Sequence, residues 1–224
     1  MAAVIVKKLT KIFMQGEDEI RAVDNASFTI NKGEMVAIVG QSGSGKTTLL
    51  KLIGGIEKPT SGIVEIDGLP IHAAGDMEMS KIRRQKIGYI FQDFNLIPIL
   101  TAEENIIMPL LLDSQKVNKQ QLRSVCDFLG ITNRLKHLPA EMSGGQKQRV
   151  VIARALINHP SIILADEPTG NLDKKTADEI MQLLVEINRN GNTVILVTHE
   201  QKYADMCQRK IYISDGVVDR SVTV

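Results

Sequence analysis

Apolar and polar positions switch between two periods along this chain, and the switches divide it into strands and helices. Residues 4–9 read as a first strand. Residues 22–30 alternate loosely, with Val23, Ala26, Phe28 and Ile30 apolar, and end at the turn Asn31-Lys32-Gly33. That pattern predicts a half-exposed antiparallel strand. Near-continuous apolar runs at 35–39, 161–165 and 193–198 predict buried strands, and shorter ones follow at 63–66, 87–91 and 210–213. Helical spacing predicts helices from about Lys46 to Ile53, closed by Gly54-Gly55, and over 76–86, 102–112, 119–129, 146–158, 176–188 and 199–207. Thr101 and Glu104 form a capping-box pattern ahead of the third of these. Val150, Val151, Ala153, Leu156 and Ile157 give the helix over 146–158 its apolar face. Alternating β and α elements with continuous apolar strands predict an α/β fold, its mostly parallel sheet covered on both faces. Residues 92–145 carry helical signals and no strand, and read as a helical insertion. The expected organisation is one domain over 1–224, with a core of 1–91 and 146–224 that includes an antiparallel β part.

Composition narrows the picture only slightly. The 224 residues suffice for one large domain. Lys and Arg number 27 against 26 Asp and Glu, a net charge of +1, so no basic field points to a nucleic-acid partner. Cys126 and Cys207 are the only two cysteines and lie far apart, which argues against a disulfide scaffold. The first residues lack the charged start of a signal peptide. No apolar run approaches the roughly 18 residues of a membrane helix, so any membrane role is expected to work through a partner.

Chemistry concentrates in three stretches. Gly40-Gln41-Ser42-Gly43-Ser44-Gly45-Lys46-Thr47-Thr48 contains the G-x-x-x-x-G-K-T pattern of a phosphate-binding loop. Glycines at 40, 43 and 45 let successive N–H groups turn inward around an anion. Lys46 brings charge to the β/γ-phosphates, Thr47 offers a hydroxyl to Mg²⁺, and the helix that begins there adds its positive end. The second stretch is the apolar strand that ends at Asp166-Glu167. A sheet delivers carboxylates to a ligand at this carboxyl edge. Asp166 is placed to hold Mg²⁺, and Glu167 to accept a proton from an attacking water. The third is Ser143-Gly144-Gly145-Gln146 at the start of a helix. Ser143 is a good helix cap, and the two glycines expose N–H groups as a second anion site.

These motifs, with His199 after the strand over 193–198, resemble in order and spacing the ATP-binding subunit of an ABC transporter. The resemblance covers essentially the whole chain. It implies the ABC ATPase form of the phosphate-loop NTPase fold, with the antiparallel β and inserted helical parts. It also implies a set of roles. Phe13 stands where the family stacks an aromatic on adenine. Gln92 matches the glutamine that touches Mg²⁺ and the attacking water and responds to the membrane partner. Asp173, in Gly170-Asn171-Leu172-Asp173, matches a segment that crosses between two copies. His199 matches the histidine at the γ-phosphate. The family's subunits pair head to tail, so each ATP lies between one copy's phosphate loop and the other's Ser143–Gln146. Met142 stands where Leu is usual, a swap of similar volume, and Glu200 where Asp is frequent.

The stretch from Gln92 to Asn105 is similar to the branch of macrolide-export, lipoprotein-releasing and bacitracin-export ATPases. That implies a second copy of the chain and a membrane permease as partners, at the cytoplasmic face of a membrane, and export or extraction of a lipophilic or peptide substrate. Part of the apolar run over 96–100 is expected to form a groove for a permease helix. A cassette driving a signalling or cell-division complex shares these motifs. A chromosome, repair or translation factor is disfavoured, because no long coiled coil, zinc module or second cassette is evident. A GTPase is disfavoured too, since Asn118-Lys119-Gln120-Gln121 lacks the Asp of a guanine-reading motif.

Overall fold

A computed structural model describes residues 1–73 and 75–223. The chain opens with two long antiparallel strands, β1 (Ala2–Gln15) and β2 (Asp18–Asn31). Each is longer than the alternation predicts. The register shifts between Val6 and Leu9, and Lys8 takes a left-handed φ of 46° there. Its N–H is held by Ser27 Oγ at 2.8 Å. This bulge absorbs the polar Lys7-Lys8 pair and lets pairing continue to the tip, which a strict period-two reading misses.

Next come β3 (Met35–Val39), α1 (Lys46–Ile53), β4 (Ser61–Ile66), the short β5 (Leu69–Pro70), α2 (Asp76–Lys86) and β6 (Ile87–Ile90). The helices α3 (Ala102–Leu112), α4 (Lys119–Phe128) and α5 (Gly144–Leu156) follow. Then β7 (Ile162–Asp166), α6 (Lys174–Arg189), β8 (Thr193–Val197), a short α7 (Gln201–Ala204), β9 (Arg209–Ser214) and β10 (Val217–Thr223) complete the chain. One sheet runs in the order β5-β4-β1-β2-β10-β9-β3-β8-β7-β6. From β9 to β6 every pairing is parallel, while β1, β2, β4 and β5 pair antiparallel.

The parallel strands are buried on both faces, and successive residues enter different cores. Met35, Ala37 and Val39 join one apolar cluster, Val36 and Ile38 the other. Strands β7 and β8 divide in the same way, as a two-residue period requires. The first cluster also holds Ala102, Ile106 and Leu110 of α3 and Leu122 and Cys126 of α4. The apolar cluster of the helical stretch is therefore continuous with that of the sheet, with α3 and α4 packed on α5 and α5 on β6.

Two elements differ from expectation at the C-terminal end. The helix expected over 199–207 is confined to α7. The chain must turn there so that Gln208 N–H reaches Met35 O at 2.9 Å and Arg209 pairs with Val36. A further strand, β10, returns antiparallel along β9 and touches β2 at Asp24, joining the parallel and antiparallel parts. Its register slips between Asp219 and Val222, which hides its alternation.

Candidate nucleotide site

Strands β3, β7 and β8 are neighbours and parallel, so their carboxyl ends bring the phosphate loop, Asp166-Glu167 and His199 to one edge. Between β3 and α1 the loop turns on Gly45, which caps α1 with a φ of 101°. A Cβ at Gly45 would lie 2.0 Å from the Ala22 carbonyl oxygen. The position is closed to any side chain both by conformation and by the strand against it. The Lys46 ammonium donates to the carbonyls of Gly40 at 2.9 Å and Gln41 at 2.6 Å, which holds its charge inside the loop. Thr47 Oγ1 donates to Asp166 Oδ1 at 3.1 Å. Burial pushes the Asp166 carboxyl above its usual range, against the opposing pull of the Thr47 hydroxyl.

Glu167 has a left-handed φ of 42°. Its N–H reaches Val197 O at 3.0 Å and its carbonyl accepts from Gly170 N at 3.1 Å. This turn leaves the carboxylate facing β8, where His199 Nδ1 lies 3.2 Å from Glu167 Oε2. A cleft of about 840 Å³ lies over these groups, lined by Ser42, Gly43, Gly45, Lys46, Thr47, Thr48, Glu167 and His199.

The cleft also contains residues that the motifs do not announce. Arg21 and Ala22 of β2 and the turn Asp215-Gly216 line it. Gly216 N–H bonds Ser44 O at 3.1 Å, and Gly216 O accepts from Asp24 N at 2.8 Å. The β9–β10 turn thus buttresses the phosphate loop. Asp215-Gly216 between two apolar runs is a hairpin signal, while its contact with the phosphate loop depends on where the fold puts that hairpin.

The remaining candidates lie outside the cleft lining. Phe13 pairs with Ile20 across the β1–β2 ribbon, is 38 % exposed, and has the Lys11 ammonium 4.8 Å from its ring centroid. Of that pair, Ile20 reaches the cleft. Gln92 follows β6. Its amide packs on Gly170, and its carbonyl accepts from Asn171 Nδ2 at 2.9 Å. At the start of α5, Ser143 Oγ accepts from Gln146 N at 3.3 Å and Gln146 Oε1 from Ser143 N at 3.0 Å. This reciprocal cap leaves the Gly144 and Gly145 N–H groups without acceptors among the described residues. Asp173 caps α6, accepting from Thr176 N at 3.1 Å and Thr176 Oγ1 at 2.5 Å. Those bonds hold its carboxyl below the usual range. The Thr176 methyl lies against Gly145, so the starts of α5 and α6 form one surface.

A phosphate loop at a parallel sheet edge, an acidic pair beside it and a glycine-opened helix define a nucleotide-hydrolysing cassette. A family model described as ABC transporter matches residues 23–170. The ABC transporter ATP-binding protein MJ0796 of Methanocaldococcus jannaschii is 47 % identical over 222 residues, covering 96 % of this chain and 94 % of that protein. The lipoprotein-releasing system ATP-binding protein LolD of Alcanivorax borkumensis is 41 % identical over 217 residues, covering 96 % and 95 %. A dimeric post-hydrolysis structure of MJ0796 bound to ADP and phosphate superposes with a TM-score of 0.89 at 45 % identity, covering 98 % of each chain. A second dimeric MJ0796 structure gives 0.90 at 44 % identity, with the same coverage. The chain belongs to the ABC transporter family and is one of its ATP-hydrolysing cassettes.

Proposed function

We propose that two copies of this chain sandwich two ATP molecules head to tail and drive a membrane permease that exports or extracts a lipophilic or peptide substrate. One observation carries the dimer. Lys46, Thr47, Glu167 and His199 share a cleft, whereas Ser143–Gln146, the other phosphate-type element, is not part of that cleft's lining. A second copy supplies it. Support comes also from the dimeric MJ0796 structures and, for the cargo class, from the lipoprotein-releasing relative.

Within this reading Lys46 and His199 neutralise the γ-phosphate, and Glu167 takes the proton of the attacking water. Gln92 orients that water, and Phe13 stacks on adenine. Asp173 lies near the opposite copy's site. Catalysis here is mostly positioning and charge stabilisation. One helix terminus contributes about 0.3–2 kcal/mol, too little to hold a dimer. The nucleotide must therefore bridge both halves, and loss of the γ-phosphate lets them part.

Mg²⁺ fits the residues present. The Thr47 hydroxyl at the cleft donates to the Asp166 carboxylate, with Gln92 as a further oxygen donor in the segment that follows β6. No group of three acidic, His or Cys residues that could cage an ion occurs among the described residues. That suits an ion carried mainly by phosphates and water, where it supplies charge neutralisation. Chelation by EDTA is expected to abolish turnover, and restoring Mg²⁺ to recover it. Turnover that persists in excess EDTA would contradict the assignment.

No helix among the described residues is long and apolar enough to cross a membrane, so membrane attachment is assigned to the permease. Its docking place is a groove of about 320 Å³ lined in part by Arg84, Tyr89, Phe91, Pro109 and Leu112. The run over 96–100 does not line it. Leu96 packs on the core, and Ile99 is 84 % exposed. Leu112→Asp is expected to keep the ATPase of the isolated chain within about twofold, because surface changes seldom disturb a distant site. The same change should abolish co-purification with the permease that accompanies the unaltered chain from membranes. Undiminished co-purification would place the permease elsewhere. For the whole reading, the test is reconstitution with that permease in vesicles, where ATP must drive cargo release or export.

A further inference from the structure

Helix α5 begins at the second phosphate element and is about 20 Å long. Near its other end Arg154 reaches across to the segment that follows β6. Its guanidinium donates to Asn95 O at 2.6 Å and Phe94 O at 2.9 Å. These are its hydrogen-bond acceptors among the described residues, and no carboxylate pairs with it there. Burial lowers its pKa to about 10. A half-buried guanidinium committed to two main-chain carbonyls acts as a fork that fixes backbone geometry.

The geometry it fixes is unusual. Phe94 and Asn95 both have left-handed φ values, 60° and 48°. Two such residues in a row persist only when their surroundings hold them. From the other side Asn171 Nδ2 donates to Gln92 O at 2.9 Å and Asp93 Oδ1 at 3.2 Å. Residues 92–95 are therefore clamped between Arg154 and Asn171, with the Gln92 amide packed on Gly170. Arg154 and Asn95 also line the groove assigned to the permease.

We infer that Arg154 is a positioning residue for ATP hydrolysis, holding the 92–95 segment so that Gln92 faces the reacting phosphate and passing movements of the groove to it. The inference rests on the assignment of Gln92 to the attacking water.

The test is a double-mutant cycle on the isolated chain, at concentrations where turnover per chain is constant. Arg154→Gln is expected to lower kcat about ten- to a hundredfold, the scale of a small misplacement at a reacting centre, with KM for ATP within about twofold. In a Gln92→Ala background the same change should lower kcat by less than about twofold, because contacts acting through one residue are not additive. Arg154→Lys should recover part of the loss, since one ammonium still reaches a carbonyl but lacks the fork. Full additivity of Arg154→Gln and Gln92→Ala would overturn the inference, as would an effect on KM alone. If neither Arg154 variant folds by thermal melting, Arg154 is a packing residue and the inference fails. If Gln92→Ala by itself leaves kcat unchanged, the Gln92 assignment falls, and the role of Arg154 with it.

Discussion

Glu167→Gln is expected to lower ATP turnover by about 10²–10⁴-fold, the usual loss when a general base is removed, while leaving nucleotide binding in place. The amide keeps the size of the carboxylate and the same left-handed turn, whose φ is 42°. What it removes is the carboxylate oxygen, 3.2 Å from His199 Nδ1, that we propose as the acceptor of the water's proton. Because ATP then stays intact, the bridge between copies should persist. Size-exclusion chromatography should show a dimer with ATP and a monomer with ADP. A variant that remains monomeric with ATP would contradict the sandwich, and one that hydrolyses ATP normally would remove Glu167 from the base role.

Gly45→Ala is the second large effect. The new Cβ would lie 2.0 Å from Ala22 O, at a residue with φ of 101°. The carbonyl is main chain of β2, so relieving the contact means shifting backbone rather than a flexible side chain. The expected cost is about 1–3 kcal/mol, or several degrees in Tm at roughly 2–4 °C per kcal/mol for a chain of this size. Nucleotide binding should be lost along with it, because relief of the clash moves the loop that carries Lys46. Gly43→Ala is the control. Its φ of 79° is also left-handed, yet its Cβ would meet nothing within 4 Å, so its loss should be smaller. Titration with a fluorescent ATP analogue and thermal melts check both. Wild-type binding by Gly45→Ala would refute the steric account.

The difference between these glycines cannot be read from the motif, since only the fold brings Ala22 against one and leaves the other open. The parallel strands were the opposite case. Residues 35–39, 162–165 and 194–197 are apolar throughout because both sheet faces are covered, so their runs announce them. The β1–β2 ribbon was underestimated because the bulge at Lys8 breaks the alternation, and β10 was missed because its register slips. In the cleft, the place of Lys46 and Thr47 was legible because it depends on a local loop. Asp215-Gly216 reaches that loop only through the β9–β10 hairpin. Arg154 was hidden more deeply, since its acceptors are main-chain carbonyls 59 and 60 residues away. Backbone oxygens leave no mark in a residue pattern.

Everything functional here depends on each pocket being finished by a second copy, and hydrolysis at different protein concentrations addresses that directly. Under saturating MgATP, turnover per chain should fall towards zero on dilution and rise to a plateau as pairs form. A constant rate per chain, down to concentrations where light scattering or sedimentation finds only single chains, would mean that one copy holds a complete site.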